Sequence, residues 1–97
     1  MAEERTGAEI LALPMEHNDA GATTMRAYLQ ALLSRLWEEG EGFGGKRPFG
    51  NSAWEYELYL ALARAGAIPA EFHEDGDMLK FDEPLARELI FRAIEAL

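Results

Sequence analysis

Two short stretches are the first candidates for chemistry. The first is "GEGFGGKRPFGNS", residues 40–52. Gly40, Gly45 and Lys46 match the start of the phosphate-binding pattern G-x-x-x-x-G-K, in which backbone N–H groups and the lysine hold phosphates. The next position must carry a hydroxyl for magnesium, and here it is Arg47, followed by Pro48. That motif also joins a strand to a helix, whereas a helical pattern precedes this loop. The stretch therefore reads as an ordered basic connection between two helices. Gly40, Gly42, Gly44 and Gly45 let the chain reverse, and Phe43 and Phe49 are its expected anchors on the core. Lys46, Arg47 and Ser52 then stand at the start of the next helix, whose free N–H groups attract anions. The functional reading is a partner-binding corner for a carboxylate or phosphate. The plainer reading is that both cations pair with the chain's own surplus acids.

The second stretch is "EFHEDGDMLKFD", residues 71–82. Counted from Glu71, residues Asp75, Gly76, Asp77, Met78 and Asp82 fall where a calcium loop needs a ligand, its glycine, a carbonyl donor, an apolar residue and its last acid. His73 stands where an oxygen ligand belongs, and Asp82 replaces the usual glutamate. A turn with solvated acids is the better reading. Glu16, His17 and Asp19 form one small cluster and His73 with Asp75 another, without the spacing of a metal or catalytic motif. Ser34 and Ser52 have no evident base, and Ser52 is expected as a helix cap. No catalytic, metal or cofactor site is expected, and the chain reads as no enzyme.

The elements that would position these residues are mostly helical. Met25, Tyr28, Leu29, Leu32, Leu33, Leu36 and Trp37 recur three and four apart, predicting a helix capped by Thr23 or Thr24 and stopped at Gly40. A second helix starts at Ser52 and Glu55, which have capping-box spacing, and ends at Gly66 and Pro69. Trp54, Leu58, Ala61, Leu62 and Ala65 form one of its faces. Tyr56, Tyr59, Leu60 and Ala63 widen its apolar arc, which places it centrally. Asp82 caps a last helix with Pro84 in its first turn. Leu85, Leu89, Ala93, Ile94 and Leu97 form its stripe, with Ile90 beside it. Ahead of these, Ile10, Leu11 and Leu13 make a helical turn or an extended arm, with Pro14 disfavouring helix at Leu13. Asn18, Asp19 and Gly21 read as a turn. Residues 71–82 form either a hairpin about Asp75–Gly76, read as a type I′ pair, or an irregular loop.

Composition narrows the function. The 97 residues carry eighteen acids, nine bases, a net charge of -9 and no cysteine. Disulfides, thiol catalysis and zinc–thiolate sites are excluded. The charge weighs against nucleic acid, whose binding rests on cations meeting phosphates, and favours basic partners. The acids are spread along the chain, as on a solvated surface. The apolar fraction of 48% suits one folded domain over residues 1–97. The start, "MAEERTGAEI", lacks the apolar run of a signal peptide, and no stretch is long and apolar enough to span a bilayer. A cytoplasmic protein without a membrane partner is the expectation. Tyr28, Trp37, Phe43, Phe49, Trp54, Tyr56, Tyr59, Phe72, Phe81 and Phe91 are the bulky core candidates.

The run "GKRPFGNS" leading into "WEYELY", with "LALPMEHNDAGATTMRAYL" before it, resembles small helical proteins encoded in bacterial and phage genomes that lack an assigned function. The resemblance covers most of the chain. It implies a compact helical unit, and no activity or functional residues. The expectation is thus an all-α bundle of three main helices with a short N-terminal arm and a hairpin or loop before the last helix. It would act as a monomeric or weakly dimeric, non-enzymatic interaction or accessory module for a protein partner. Binding of an anion, nucleotide or nucleic acid through residues 40–52 is the alternative.

Overall fold

Thr6 begins the first ordered element. Its hydroxyl accepts the Glu9 N–H at 3.2 Å, and the Glu9 carboxylate accepts the Thr6 N–H at 2.8 Å. This reciprocal box satisfies two N–H groups that a helix start leaves open and yields helix α1 (Gly7–Leu11). The computed structural model describes residues 5–16, 18, 20–38 and 52–97, with backbone alone at 35–38 and 52–54. Within them lie three further helices, α2 (Met25–Glu38), α3 (Ser52–Arg64) and α4 (Glu83–Ala96), and two strands, β1 (Ala70–Phe72) and β2 (Met78–Phe81).

The fold is therefore not the all-α bundle of three main helices that periodicity suggests. Of the helical turn or extended arm expected at Ile10 and Leu11, the helical turn forms, and of the hairpin or loop expected before the last helix, the antiparallel β-hairpin forms; the chain thus has four helices and a two-stranded sheet.

Pro14 does end the first helical segment, as its effect on Leu13 predicts. The chain then runs beside the start of α2, forming a single bridge between Pro14 and Thr24. Met15 donates to the Thr23 carbonyl at 3.0 Å and Met25 to the Leu13 carbonyl at 2.8 Å. Asn18 knits the intervening turn. Its amide nitrogen donates to the Ala22 carbonyl, and its oxygen accepts the Ala20 and Ala22 N–H groups. Gly21 has φ +64°, a conformation that costs glycine little. Thr24 caps α2, accepting the Ala27 N–H at 3.3 Å.

Helix α3 stops in a Schellman turn. Ala67 N–H reaches back to the Leu62 carbonyl at 2.9 Å and Gly66 N–H to the Ala63 carbonyl at 3.0 Å, with Gly66 at φ +75°. The Arg5 guanidinium donates to the Ala65 carbonyl at 3.3 Å, placing a cation at the negative end of the helix. Asp82 caps α4 by accepting the Leu85 N–H at 3.1 Å, with Pro84 in the first turn.

The buried side chains form one cluster drawn from all four helices. It includes Ile10 and Leu11 of α1, Met25, Tyr28, Leu29 and Leu32 of α2, and Leu58, Tyr59 and Leu62 of α3. From α4 come Ala86, Leu89, Ile90, Ala93 and Ile94. Helix α3 touches both α2 and α4, but the tightest helix contact is α1 on α4. Gly7 permits it, because a Cβ there would lie 2.2 Å from the Arg92 carbonyl oxygen. Four sequence expectations for the core fail. Leu97, Phe72, Phe91 and Tyr56 are exposed. Leu97 follows the last turn of α4, and Phe72 and Tyr56 gather at the hairpin.

Candidate functional site

The hairpin follows from alternation and one glycine. Ala70 pairs with Phe81 and Glu71 with Lys80, so the first pair faces the core and the second faces solvent with opposite charges across the ladder. The register then slips, and Phe72 pairs with Met78. Leu79 is the extra residue of this bulge, a feature that bends and twists a strand. The turn spans His73–Gly76 instead of the two-residue Asp75–Gly76 turn that the sequence suggests. Gly76 N–H donates to the His73 carbonyl at 3.0 Å and His73 N–H to the Asp77 carbonyl at 2.8 Å, with Gly76 at φ +93°. This is the three-residue hairpin loop in which glycine takes the position of positive φ.

Two tyrosines of α3 hold the hairpin in place. The Tyr56 hydroxyl accepts the Met78 N–H at 3.0 Å. The Tyr59 ring lies 4.9 Å from that of Phe81 between centroids. The Tyr59 hydroxyl donates to Glu55 at 2.8 Å and accepts from Arg87 Nε at 3.1 Å. Arg87 also reaches Glu55 at 3.2 Å and Glu83 at 3.0 Å. Burial, then the hydrogen bond to Glu55, pushes the Tyr59 hydroxyl well above the usual tyrosine range. The Arg87 guanidinium is pushed up in turn, chiefly by its bond to Tyr59. A hydroxyl held protonated in this way is a structural tie between α3, α4 and the end of β2. It does not have the lowered pKa of an activated nucleophile.

Some large apolar side chains in and beside the hairpin are exposed. Leu79 is 56% exposed, Phe72 41% and Tyr56 37%. Phe72 stands opposite Met78, Leu79 follows Met78 along β2, and the Tyr56 hydroxyl meets the Met78 N–H. Glu74, Asp75 and Asp77 at the turn are exposed. Asp75 accepts the Asp77 N–H at 3.0 Å, which stiffens the turn. The hairpin thus carries exposed apolar residues together with exposed acids and the exposed His73 and Lys80.

The calcium-loop pattern of residues 71–82 falls on this hairpin. Residues 70–72 and 78–81 are strands, so no helix enters the loop, and Asp82 is engaged as a cap. Among the described residues no group of three histidine or acidic side chains converges. His73 is exposed on the hairpin, while His17 and Asp19 lie outside the described residues. Glu16 forms an ion pair with Arg64 at 2.6 Å. This pair borders a cleft of about 180 Å³ over Leu60 and Ala61, between the residue 14–18 segment and α3. Ligand pockets usually enclose at least ~300 Å³, so this one suits no sizeable molecule.

Of the sequence-derived site residues, Lys46 and Arg47 lie outside the described residues, as do Phe43 and Phe49. Ser52 opens α3, its side chain outside the described set. Residue type alone assigns Tyr56 and Phe72 to the core and hides their exposure. The signal that marks it is Leu79 beside Lys80 and Phe72 beside His73, short apolar steps at the border of a charged turn. Among the described residues, no helix is long and apolar enough to cross a membrane. No protein-family model, curated protein or solved structure matches the chain.

Proposed function

We propose that this chain is a non-enzymatic protein-interaction or accessory module, of the kind small phage and bacterial proteins supply to larger assemblies. The observation that carries the reading is the placement of Phe72, Leu79 and Tyr56. Phe72 and Leu79 are exposed on a hairpin that tyrosines of α3 fix to the body, and Tyr56, one of those tyrosines, is exposed as well. Single exposed apolar residues are ordinary, but several on and beside one short, tied element support a contact site. A cytoplasmic location and a protein partner belong to the same proposal, which the net charge of -9 supports by disfavouring polyanions. The second reading is an anionic partner held by Lys46, Arg47 and Ser52, favoured by two adjacent cations on an otherwise acidic chain. Affinity capture from the native host separates the two. Phe72→Ser with Leu79→Ser should lose the partners that the wild type retains, while Lys46→Glu with Arg47→Glu should keep them. The opposite pattern favours the basic loop, and retention by both variants rejects both surfaces.

A further inference from the structure

We infer that the hairpin turn is a covalent-modification site: Asp75 converts spontaneously to isoaspartate through a cyclic imide with the Gly76 nitrogen, at a rate set by opening of the hairpin. The sequence holds one aspartate or asparagine followed by glycine, and it is Asp75. Glycine has no side chain to shield its backbone nitrogen, and its backbone turns freely toward a neighbouring carboxyl. In the reaction the Gly76 nitrogen bonds to Asp75 Cγ, and the carboxyl hydroxyl leaves with the amide proton as water. Water then reopens the imide. Breaking the bond from nitrogen to Cγ restores Asp75. Breaking the bond from nitrogen to the Asp75 backbone carbonyl carbon leaves the chain running through the side chain, longer by a methylene. Asp75 is exposed, so the water that the second step consumes reaches it directly.

The closed turn restrains the groups that must react. The Gly76 N–H, whose proton must leave, donates to the His73 carbonyl at 3.0 Å. The Asp75 carboxyl, which must be attacked, accepts the Asp77 N–H at 3.0 Å. The His73 N–H closes the loop on the Asp77 carbonyl at 2.8 Å. The reaction therefore proceeds from an opened turn. Opening does not require global unfolding, because a two-stranded hairpin is marginal by itself and short exposed elements open at less cost than a core. Two ties to α3 oppose it, Tyr56 at Met78 and Tyr59 at Phe81. The Tyr56 tie is the nearer to Gly76 and governs how often the turn opens. Asp77 and Asp82 are comparisons within the same chain. Met78 and Glu83 follow them, and Asp82 is engaged as the cap of α4. Once formed, isoaspartate lengthens the chain between His73 and Asp77, against the hydrogen bonds that close the turn.

The test is prolonged incubation of the full chain at neutral pH, folded and in guanidinium chloride, with isoaspartate located by electron-transfer fragmentation mass spectrometry. It needs no partner, so its outcome is independent of the interaction reading. Isoaspartate should accumulate at Asp75 ahead of Asp77 and Asp82. It should form roughly tenfold or more slowly in the folded chain than in the denatured one, since several hydrogen bonds hold the turn. Tyr56→Phe removes the hydroxyl that accepts the Met78 N–H and keeps the ring. It should raise the folded rate roughly fivefold, the effect of a single hydrogen bond, and leave the denatured rate unchanged. Amide exchange at Gly76 should rise by the same factor while exchange in α2 and α4 stays constant. Equal rates in the folded and denatured chains would overturn the inference, as would earlier isoaspartate at Asp77 or Asp82. So would an unchanged folded rate in Tyr56→Phe, or no product in that folded variant. A folded rate that follows exchange in α2 and α4 would also overturn it, by assigning the step to global unfolding.

Discussion

Replacing Gly7 by alanine should destabilise the protein, although alanine is the better helix former. Local propensity alone predicts a gain, because glycine within a helix costs roughly 0.5–1 kcal/mol relative to alanine. The packing predicts the reverse. The new Cβ would lie 2.2 Å from the Arg92 carbonyl oxygen, 2.8 Å from its carbon and 2.9 Å from the Ala96 Cβ. A carbon and a carbonyl oxygen normally approach no nearer than about 3.3 Å, so α1 must retreat by about 1 Å. The first two obstacles are α4 backbone, which no rotamer change can move. Ile10 and Leu11, both buried, would retreat with the helix and lose contact with the core. Overpacking typically costs about 1–3 kcal/mol, so the net loss after the propensity gain should be about 1–2 kcal/mol. For a domain of this size that is a fall of roughly 5–15 °C in Tm. Urea unfolding at constant m-value is the assay. Ala8→Gly, at the exposed neighbouring position, calibrates the propensity effect. Ala96→Gly should not rescue Gly7→Ala, since the nearest clash is with the backbone. A Gly7→Ala protein as stable as the wild type, or more so, would refute the close approach of α1 to α4.

Four further outcomes are expected. Leu58→Ala, at a fully buried position of α3, should cost roughly 2–5 kcal/mol in urea unfolding; a loss under about 0.5 kcal/mol would remove Leu58 from the core. Thr6→Ala should cost about 1 kcal/mol as the loss of a cap and reduce hydrogen-exchange protection in α1. The Glu9 carboxyl is held below its usual range, first by the Thr6 N–H and then by the Thr6 hydroxyl. Its contribution is therefore present above the ordinary glutamate pKa and is lost as pH falls through the lowered folded value, a slope that an acid titration of Glu9→Gln should lack. Tyr59 behaves oppositely. Its folded pKa is raised, so its contribution is complete below the ordinary tyrosine pKa and declines as pH rises beyond it. Absorbance titration should leave Tyr59 protonated after an ordinary tyrosine has ionised, and Tyr59→Phe should remove that late component; ionisation of Tyr59 in the ordinary range would contradict its burial against Glu55.

What the sequence reveals is set by how locally each feature is encoded. Helix α2 is legible because Met25, Tyr28, Leu29 and Leu32 repeat at helical spacing and Thr24 caps them. Helix α4 is legible from Asp82 and Pro84, both acting within one turn. Helix α1 is too short to show a period. Its local mark is Thr6 with Glu9, which has the same capping-box spacing as Ser52 and Glu55. The requirement for glycine at position 7 is invisible locally, since the obstacle is the carbonyl of Arg92 on another helix. Alternation at residues 70–72 and 78–81 hints at the hairpin. The bulge at Leu79 does not follow from that alternation, because it arises where pairing with Phe72 slips. Nor does residue type reveal that Phe72 and Leu79 face outward, for the same side chains would fill a core equally well. The reading of Lys46, Arg47 and Ser52 as a basic corner rests on sequence alone.

The most direct test of the interaction reading is hydrogen exchange of the chain with and without a partner captured from its host. The account predicts slowed exchange at residues 72–79 and around Tyr56, with α1 unchanged. Protection confined to residues 40–52, or to the cleft between the residue 14–18 segment and α3, would contradict it and move the functional surface away from the hairpin.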